Sequence, residues 1–122
     1  MAVQTANELI HKKCSACEGG TAVVGPDEAK SQLESLPGWR ISHTGKRIRK
    51  DWTVKNFMAG LDFFNRVGQL AESENHHPDL HLEGYRKVWI ELSSHELGGL
   101  SENDFILAVK IDKLPVKLKP AK

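Results

Sequence analysis

The sequence predicts an α+β domain, and three observations carry that prediction. Segments with helical apolar spacing alternate with pairs of in–out alternating segments, in the order α-β-β-α-β-β-α. A short glycine-containing turn joins the members of each strand pair, which makes the pairing antiparallel. No segment repeats and no linker divides the chain, so hairpin-joined strands with helices able to cover one face make one domain.

Each element has its own signal. Pro26-Asp27 opens the first helix, in which Ala29, Leu33 and Leu36 recur at i, i+4 and i+7 before Pro37-Gly38 ends it. Asp27 and Glu28 near its start suit the helix dipole. Trp39 to Ser42 reads as a short strand, and Thr44-Gly45-Lys46 turns it into a partner running from Arg47 to Val54. In that partner Ile48, Trp52 and Val54 alternate with Arg49, Asp51 and Thr53, the pattern of a half-buried strand. A long helix follows from about Lys55 to Ser73. Its stripe of Phe57, Leu61, Phe64, Gly68 and Ala71 is expected to face the sheet. Asp79 to Leu82 is a third strand, Glu83-Gly84 a turn, and Tyr85 to Ser93 a fourth strand with Val88, Ile90 and Leu92 on one side. The Gly98-Gly99 turn leads to a last helix from Ser101 to about Lys113. Residues 1–25 read as a flexible leader, 26–114 as the single domain and 115–122 as a solvated basic tail.

Composition narrows the function. At 122 residues the chain buries a core without needing disulfides or metals. Seventeen basic against sixteen acidic residues leave a net charge of +1, which argues against a nucleic-acid partner. No apolar run approaches the ~20 residues of a helical membrane span. The opening MAVQTANELIHKK lacks a secretory h-region and is not an Arg- and Ser-rich transit segment. A cytoplasmic location is expected, or an organellar one if a transit segment has been removed. Cys14-Ser15-Ala16-Cys17 is a CxxC motif, readable as a redox pair, half a zinc site, or part of a loose leader. No second CxxC exists, and only His11 is near.

The chemistry concentrates between Glu72 and Asp104, where four of the six histidines fall, at 76, 77, 81 and 95. Imidazole alone among side chains titrates near neutrality unperturbed, so it gives or takes protons at physiological pH. Pro78 pushes His77 out of the helical region, so the helix is expected to stop there and leave the His76-His77 pair at its end. Glu72 lies one turn before His76, within reach to orient that imidazole. Ser101-Glu102-Asn103-Asp104 has the form of a capping box, which makes Asp104 architectural.

Glu72 followed by His76-His77-Pro78, then Tyr85, His95 and Asp104, resembles the signature of the pterin-4a-carbinolamine dehydratases. Lys87-Val88, Leu92-Ser93, Gly99-Leu100-Ser101 and Asn103-Asp104-Phe105 extend the resemblance, which covers roughly Leu33 to Asp112. Between Pro78 and Tyr85 the chain has DLHLEG, one residue longer than in animal relatives and closer to plant and bacterial members. The departure bears on the pocket rim.

The resemblance implies a four-stranded antiparallel sheet with helices packed on one face, and subunits that pair as homodimers or homotetramers. It implies dehydration of a 4a-hydroxytetrahydropterin to the quinonoid dihydropterin, without metal or cofactor, in pterin recycling coupled to an aromatic amino acid hydroxylase. His76, His77 and His95 are carried over as acid/base and substrate-binding groups, with His76 and His95 the preferred proton-transfer pair and His77 chiefly holding the pterin. Glu72, Ser93 and Ser94 are the candidate substrate-binding partners; Pro78, Tyr85 and Asp104 complete the motif. His81 reads as strand surface. Two rival readings remain: a dimerisation or transcription-cofactor module using a helix face, and a metalloprotein with zinc or iron on His76, His77, His81 and His95.

Overall fold

The computed structural model describes residues 3–14 and 23–120. Among these it has four α-helices, α1 (Ala6–Ile10), α2 (Pro26–Leu33), α3 (Phe57–Glu74) and α4 (Glu102–Asp112), and four strands, β1 (Arg40–Ile41), β2 (Ile48–Thr53), β3 (Asp79–Glu83) and β4 (Lys87–Leu92). The strands form one antiparallel sheet in the order β1-β2-β4-β3, and the expected α+β architecture stands. Ile48 pairs with Leu92 and Trp52 with Val88, while Leu80 pairs with Ile90 and Leu82 with Val88. Since side chains alternate across a strand, these residues share one face, the one that carries the core. Arg49, Asp51, Trp89, Glu91 and His81 fall on the other.

The long helix packs by a different side from the one its aromatic spacing suggests. Ala59, Gly60, Phe63, Val67, Ala71 and Glu74 are its buried residues, whereas Phe57 and Leu61 are 45% and 41% exposed. Gly60 is the reason. A Cβ there would lie 2.9 Å from Leu82 Cδ1, so the missing side chain lets the helix axis approach β3 and β4 along its small-residue side. Phe63 then meets Trp52 edge-on at 5.1 Å. Phe57, Met58 and Leu61 are left on the surface.

Residues 3–14 and 115–120 make contacts with the domain that the readings of a leader and a solvated tail did not include. The leader contains α1, with a capping box between Thr5 and Glu8, and Leu9 is fully buried among core residues. The helix escapes sequence reading because five residues hold too few positions for a 3.6-residue period. Of the CxxC pair, Cys14 is partly buried and Cys17 lies outside the described residues. The basic tail adds a short antiparallel run beside β2: Lys55 N–H donates to Lys117 O at 2.9 Å, and Lys119 N–H to Thr53 O at 2.9 Å. The fourth strand starts at Lys87 because Gly84 and Tyr85 both take positive φ, at 56° and 53°, in the turn before it. No described helix is long and apolar enough to cross a membrane.

Leu9→Ala should destabilise the protein by ~2–5 kcal/mol, the usual result of emptying a fully buried leucine site. Urea denaturation measures this, and a change under ~0.5 kcal/mol, the scale of a surface substitution, would return the leader to a loose segment.

Candidate active site

Helix α3 ends through Asn75, not through Pro78. Asn75 takes the left-handed conformation (φ 53°, ψ 40°), which asparagine tolerates better than any residue but glycine. Its N–H donates to Glu72 O at 3.3 Å and the N–H of His76 to Ala71 O at 3.2 Å, satisfying the last carbonyls in a Schellman pattern. The reversal sends consecutive histidines in opposite directions. His76 turns inward and is 8% exposed, whereas His77 stays on the surface. Glu72 is therefore hydrogen-bonded to His77 Nε2, not to His76 as helical spacing suggested, because that spacing ends at Asn75.

His76 meets Asp104. Helix α4 begins at Ser101 with the expected capping box: Asp104 Oδ2 accepts the Ser101 N–H at 2.9 Å. The same oxygen accepts from Ser94 Oγ at 2.9 Å, and Ser94 and Ser101 hydroxyls lie 2.7 Å apart. Asp104 Oδ1 lies 2.7 Å from His76 Nε2. Asp104 has no exposed surface, and a carboxyl group so placed is tolerated only with its oxygens hydrogen-bonded. An aspartate that already accepts two bonds on Oδ2 takes a donor on Oδ1. Nε2 is thus the ring nitrogen engaged by Asp104, and Nδ1 is the one turned away from it. Among the described residues Nδ1 has no hydrogen-bond partner.

Of these groups His76 lines a small cleft of about 100 Å³, together with Asn75, His77, Ser93 and Glu96. Ser93 also borders a second cleft of about 230 Å³, with Lys46, Arg47, Ser94, Gly98 and Gly99. Ser93 is the residue that the two clefts share, with the histidines lining one and Lys46 and Arg47 the other. His95 opens a 3₁₀ turn, His95–Leu97, immediately after Ser94, and its side chain lies outside the described part of the structure.

The remaining candidates separate. Pro78 leads from His77 directly into β3. Tyr85 sits at the far end of the β3–β4 hairpin, 55% exposed with the Arg86 guanidinium 5.0 Å from its ring. His81 stacks on Trp89 at 4.8 Å with the rings 8° apart, while Arg49 covers the same indole at 4.5 Å. It is thereby held on the open sheet face. Among the described residues no group of three His, Cys, Asp or Glu side chains is placed to hold a metal ion. Asn75 and Glu96 border the cleft without having been anticipated. For Asn75 a signal existed, since Asn just before a helix stop reads as a left-handed cap; Glu96 offered none.

The geometry can be set beside known proteins. The family model described as Pterin 4 alpha carbinolamine dehydratase matches residues 22–114. The chain belongs to that family. It is 44% identical over 113 residues to the mitochondrial pterin-4-alpha-carbinolamine dehydratase 2 of Arabidopsis thaliana, covering 90% of this chain and 60% of the plant protein. A Chlorobaculum tepidum protein provisionally named for the same dehydratase is 46% identical over 110 residues, covering 88% of this chain and 97% of its own length. Among solved structures, a Brucella melitensis transcriptional coactivator/pterin dehydratase superposes with a TM-score of 0.69 at 25% identity, covering 75% of this chain and 96% of that one. A pterin dehydratase-like protein described as a RuBisCO assembly factor in the alpha-carboxysome gives 0.52 at 21% identity, covering 62% of this chain and 86% of that one, and shares the dehydratase fold alone.

The two carboxylates of this dehydratase-family site should respond differently to substitution. Asp104→Ala leaves Ser94, Ser101 and His76 without their acceptor in a buried place, and should destabilise the protein by ~3–5 kcal/mol in urea. Glu72→Gln, on an exposed pair, should change stability by less than ~0.5 kcal/mol.

Proposed function

We propose that this protein dehydrates a 4a-hydroxytetrahydropterin to the quinonoid dihydropterin by histidine acid/base catalysis. The observation that carries the reading is the His76–Asp104 hydrogen bond, which fixes one ring nitrogen and leaves the other for a substrate in the cleft beside His77 and Ser93. Family membership supplies the substrate class.

In the reaction the C4a–O bond breaks, C4a and N5 become doubly bonded, and the N5 proton departs. Hydroxide is a poor leaving group, so an acid must deliver a proton to it while a base takes one from N5. His76 and His95 are the proposed proton-transfer pair. The Asp104 carboxylate stabilises the imidazolium form of His76 when that ring takes the proton. His77, steadied by Glu72, holds and polarises the pterin. Ser93, on the wall common to both clefts, is placed to meet a ring edge. The Ser94 hydroxyl is engaged with Asp104 and Ser101, and its backbone N–H and carbonyl with Gly99 and Leu97, so the part proposed for Ser94 is to hold Asp104 in place beside the cleft. Neither proton transfer calls for a metal or organic cofactor. The proposed context is pterin recycling beside an aromatic amino acid hydroxylase, in the cytoplasm or in an organelle after removal of a transit segment.

Pairing of subunits belongs to the same proposal. Among the described residues the outer edge of β3 is unpaired and the apolar Phe57, Met58, Leu61 and Leu80 are exposed. Edges and apolar surface of this kind favour assembly. A second reading, a binding module that uses the α3 surface, draws support from the same residues and from the coactivator part of the Brucella protein's name. Turnover separates the two readings.

A dehydratase assay on freshly generated 4a-carbinolamine tests the function directly, and activity should survive exhaustive chelation. His76→Ala or His95→Ala should lower kcat by ~10²–10⁴-fold, the worth of a positioned acid or base. His77→Ala should raise KM at least as much as it lowers kcat. His81→Ala serves as the silent control, and inactivation by it alone would overturn the assignment. Light scattering should show a dimer or tetramer at micromolar concentration; a species of only 13.6 kDa would refute pairing.

A further inference from the structure

Both ends of the His76–Asp104 bond rest on a segment outside the span matched by the family, residues 22–114. The N-terminal segment first ties to α2, where Gln4 exchanges two hydrogen bonds with the buried Gln32, at 2.8 and 2.7 Å. Leu9 then anchors α1 in the core. Beyond that point its contacts fall on the residues flanking His76 and Asp104. On α4, Gln4 Nε2 and Lys12 Nζ both donate to Glu102 Oε2, at 2.5 and 2.8 Å, and Cys14 Sγ lies 3.6 Å from Asn103 O. On α3, Lys13 Nζ donates to Ser73 O at 3.0 Å and the Cys14 N–H to Glu74 Oε1 at 2.8 Å. Glu102 and Asn103 immediately precede Asp104. Ser73 and Glu74 immediately precede the Asn75 turn into His76.

Glu74 is the keystone of this arrangement. It is 7% exposed, and its second oxygen accepts Lys110 Nζ at 2.7 Å. A carboxylate so little hydrated depends on its donors, and one of its two is supplied by the N-terminal segment. We propose that residues 4–14 form a strap that clamps the end of α3 to the start of α4, with Glu74 as the positioning residue that sets His76 against Asp104. The proposal rests on the dehydratase reading for its catalytic consequence but not for its physical one.

Two further observations agree with a docked strap. Lys13 caps a carbonyl in the last turn of α3, where a cation also suits the helix dipole. The Cys14 thiol is pushed up to about 12 by burial first and by the neighbouring Glu74 second, which disfavours its thiolate in the docked position. Burial works against the Glu74 charge, yet Lys110 and the Cys14 N–H bring its pKa below the ordinary carboxylate value. Its contribution is therefore present above the unfolded carboxylate pKa and lost as pH falls through the lowered one.

The test uses full-length protein carrying Cys17→Ser, so that Cys14 is the single thiol. Iodoacetamide should alkylate Cys14 at least ~100-fold more slowly than in urea, given its suppressed thiolate. Glu74→Gln and Lys13→Ala should each speed alkylation, and each should shift the His76 imidazole titration followed by NMR, without substrate. In the assay kcat should fall ~10- to 100-fold, the scale of a small misplacement of a catalytic group, with KM nearly unchanged. Faster alkylation with an unmoved His76 titration would show that the strap is merely structural and overturn the proposal. Alkylation of the parent at the unfolded rate would show that the strap does not dock, and overturn it too. A shifted titration in a protein that turns over no pterin would uphold the strap while sinking the dehydratase reading.

Discussion

The rest of the structure depends on one buried carboxylate. Asp104 collects donors from three chain junctions: His76 after α3, Ser94 after β4, and Ser101 at the start of α4. Removing a carboxylate from water is costly enough that its oxygens must find hydrogen bonds, and these are all supplied by neighbouring elements. Satisfying the group therefore fixes the three junctions relative to each other. The short bridge between Ser94 and Gly99 brings the chain back in time for Ser101, and Val24 pairs with Leu100 to close the same corner. A requirement of folding thus becomes the geometry of a site: the ring held by Asp104 for reasons of charge is the ring that lines the cleft.

Much of this was legible in the residues. In–out alternation gave β2 and β4 their inner faces, because Val88, Ile90 and Leu92 recur without interruption and Ile48 and Trp52 keep the same phase on either side of Lys50. The capping box at Ser101 was equally plain. What failed was every inference that used the helical period where the helix was not ideal or not alone. Phe57 and Leu61 satisfy the spacing of a core stripe, yet Gly60 decides which side approaches the sheet, and the value of a missing side chain is visible only against Leu82. Glu72 and His76 are one turn apart in sequence, yet the left-handed Asn75 intervenes before His76 can complete that turn. The His76–Asp104 contact spans 28 residues and two helix ends, and no local pattern encodes such a distance.

The comparisons and the physical reading divide the chain unequally. The family model and the alternating strands agree on the domain core, while the contacts of residues 4–14 lie outside the span that the model matches. Those residues carry few periodic signals, and their interactions are mostly single polar groups meeting helix ends some 60 to 90 positions away. Long-range polar contacts of this kind leave little trace in composition, and they still bear on the junctions around Asp104.

The open face of the sheet has an optical consequence. Of the three tryptophans, Trp39 and Trp52 pack edge to face at 6.0 Å, Trp39 in the core and Trp52 partly buried against it. Trp89 lies on the opposite face between the Arg49 guanidinium and the His81 ring. A protonated imidazole stacked on an indole withdraws excited-state electron density and dims its fluorescence. One of the three emitters in this chain is thus tied to the charge of a surface histidine and to whatever covers that face. The protein carries, in its own sequence, a reporter for the side of the sheet that the helices leave bare.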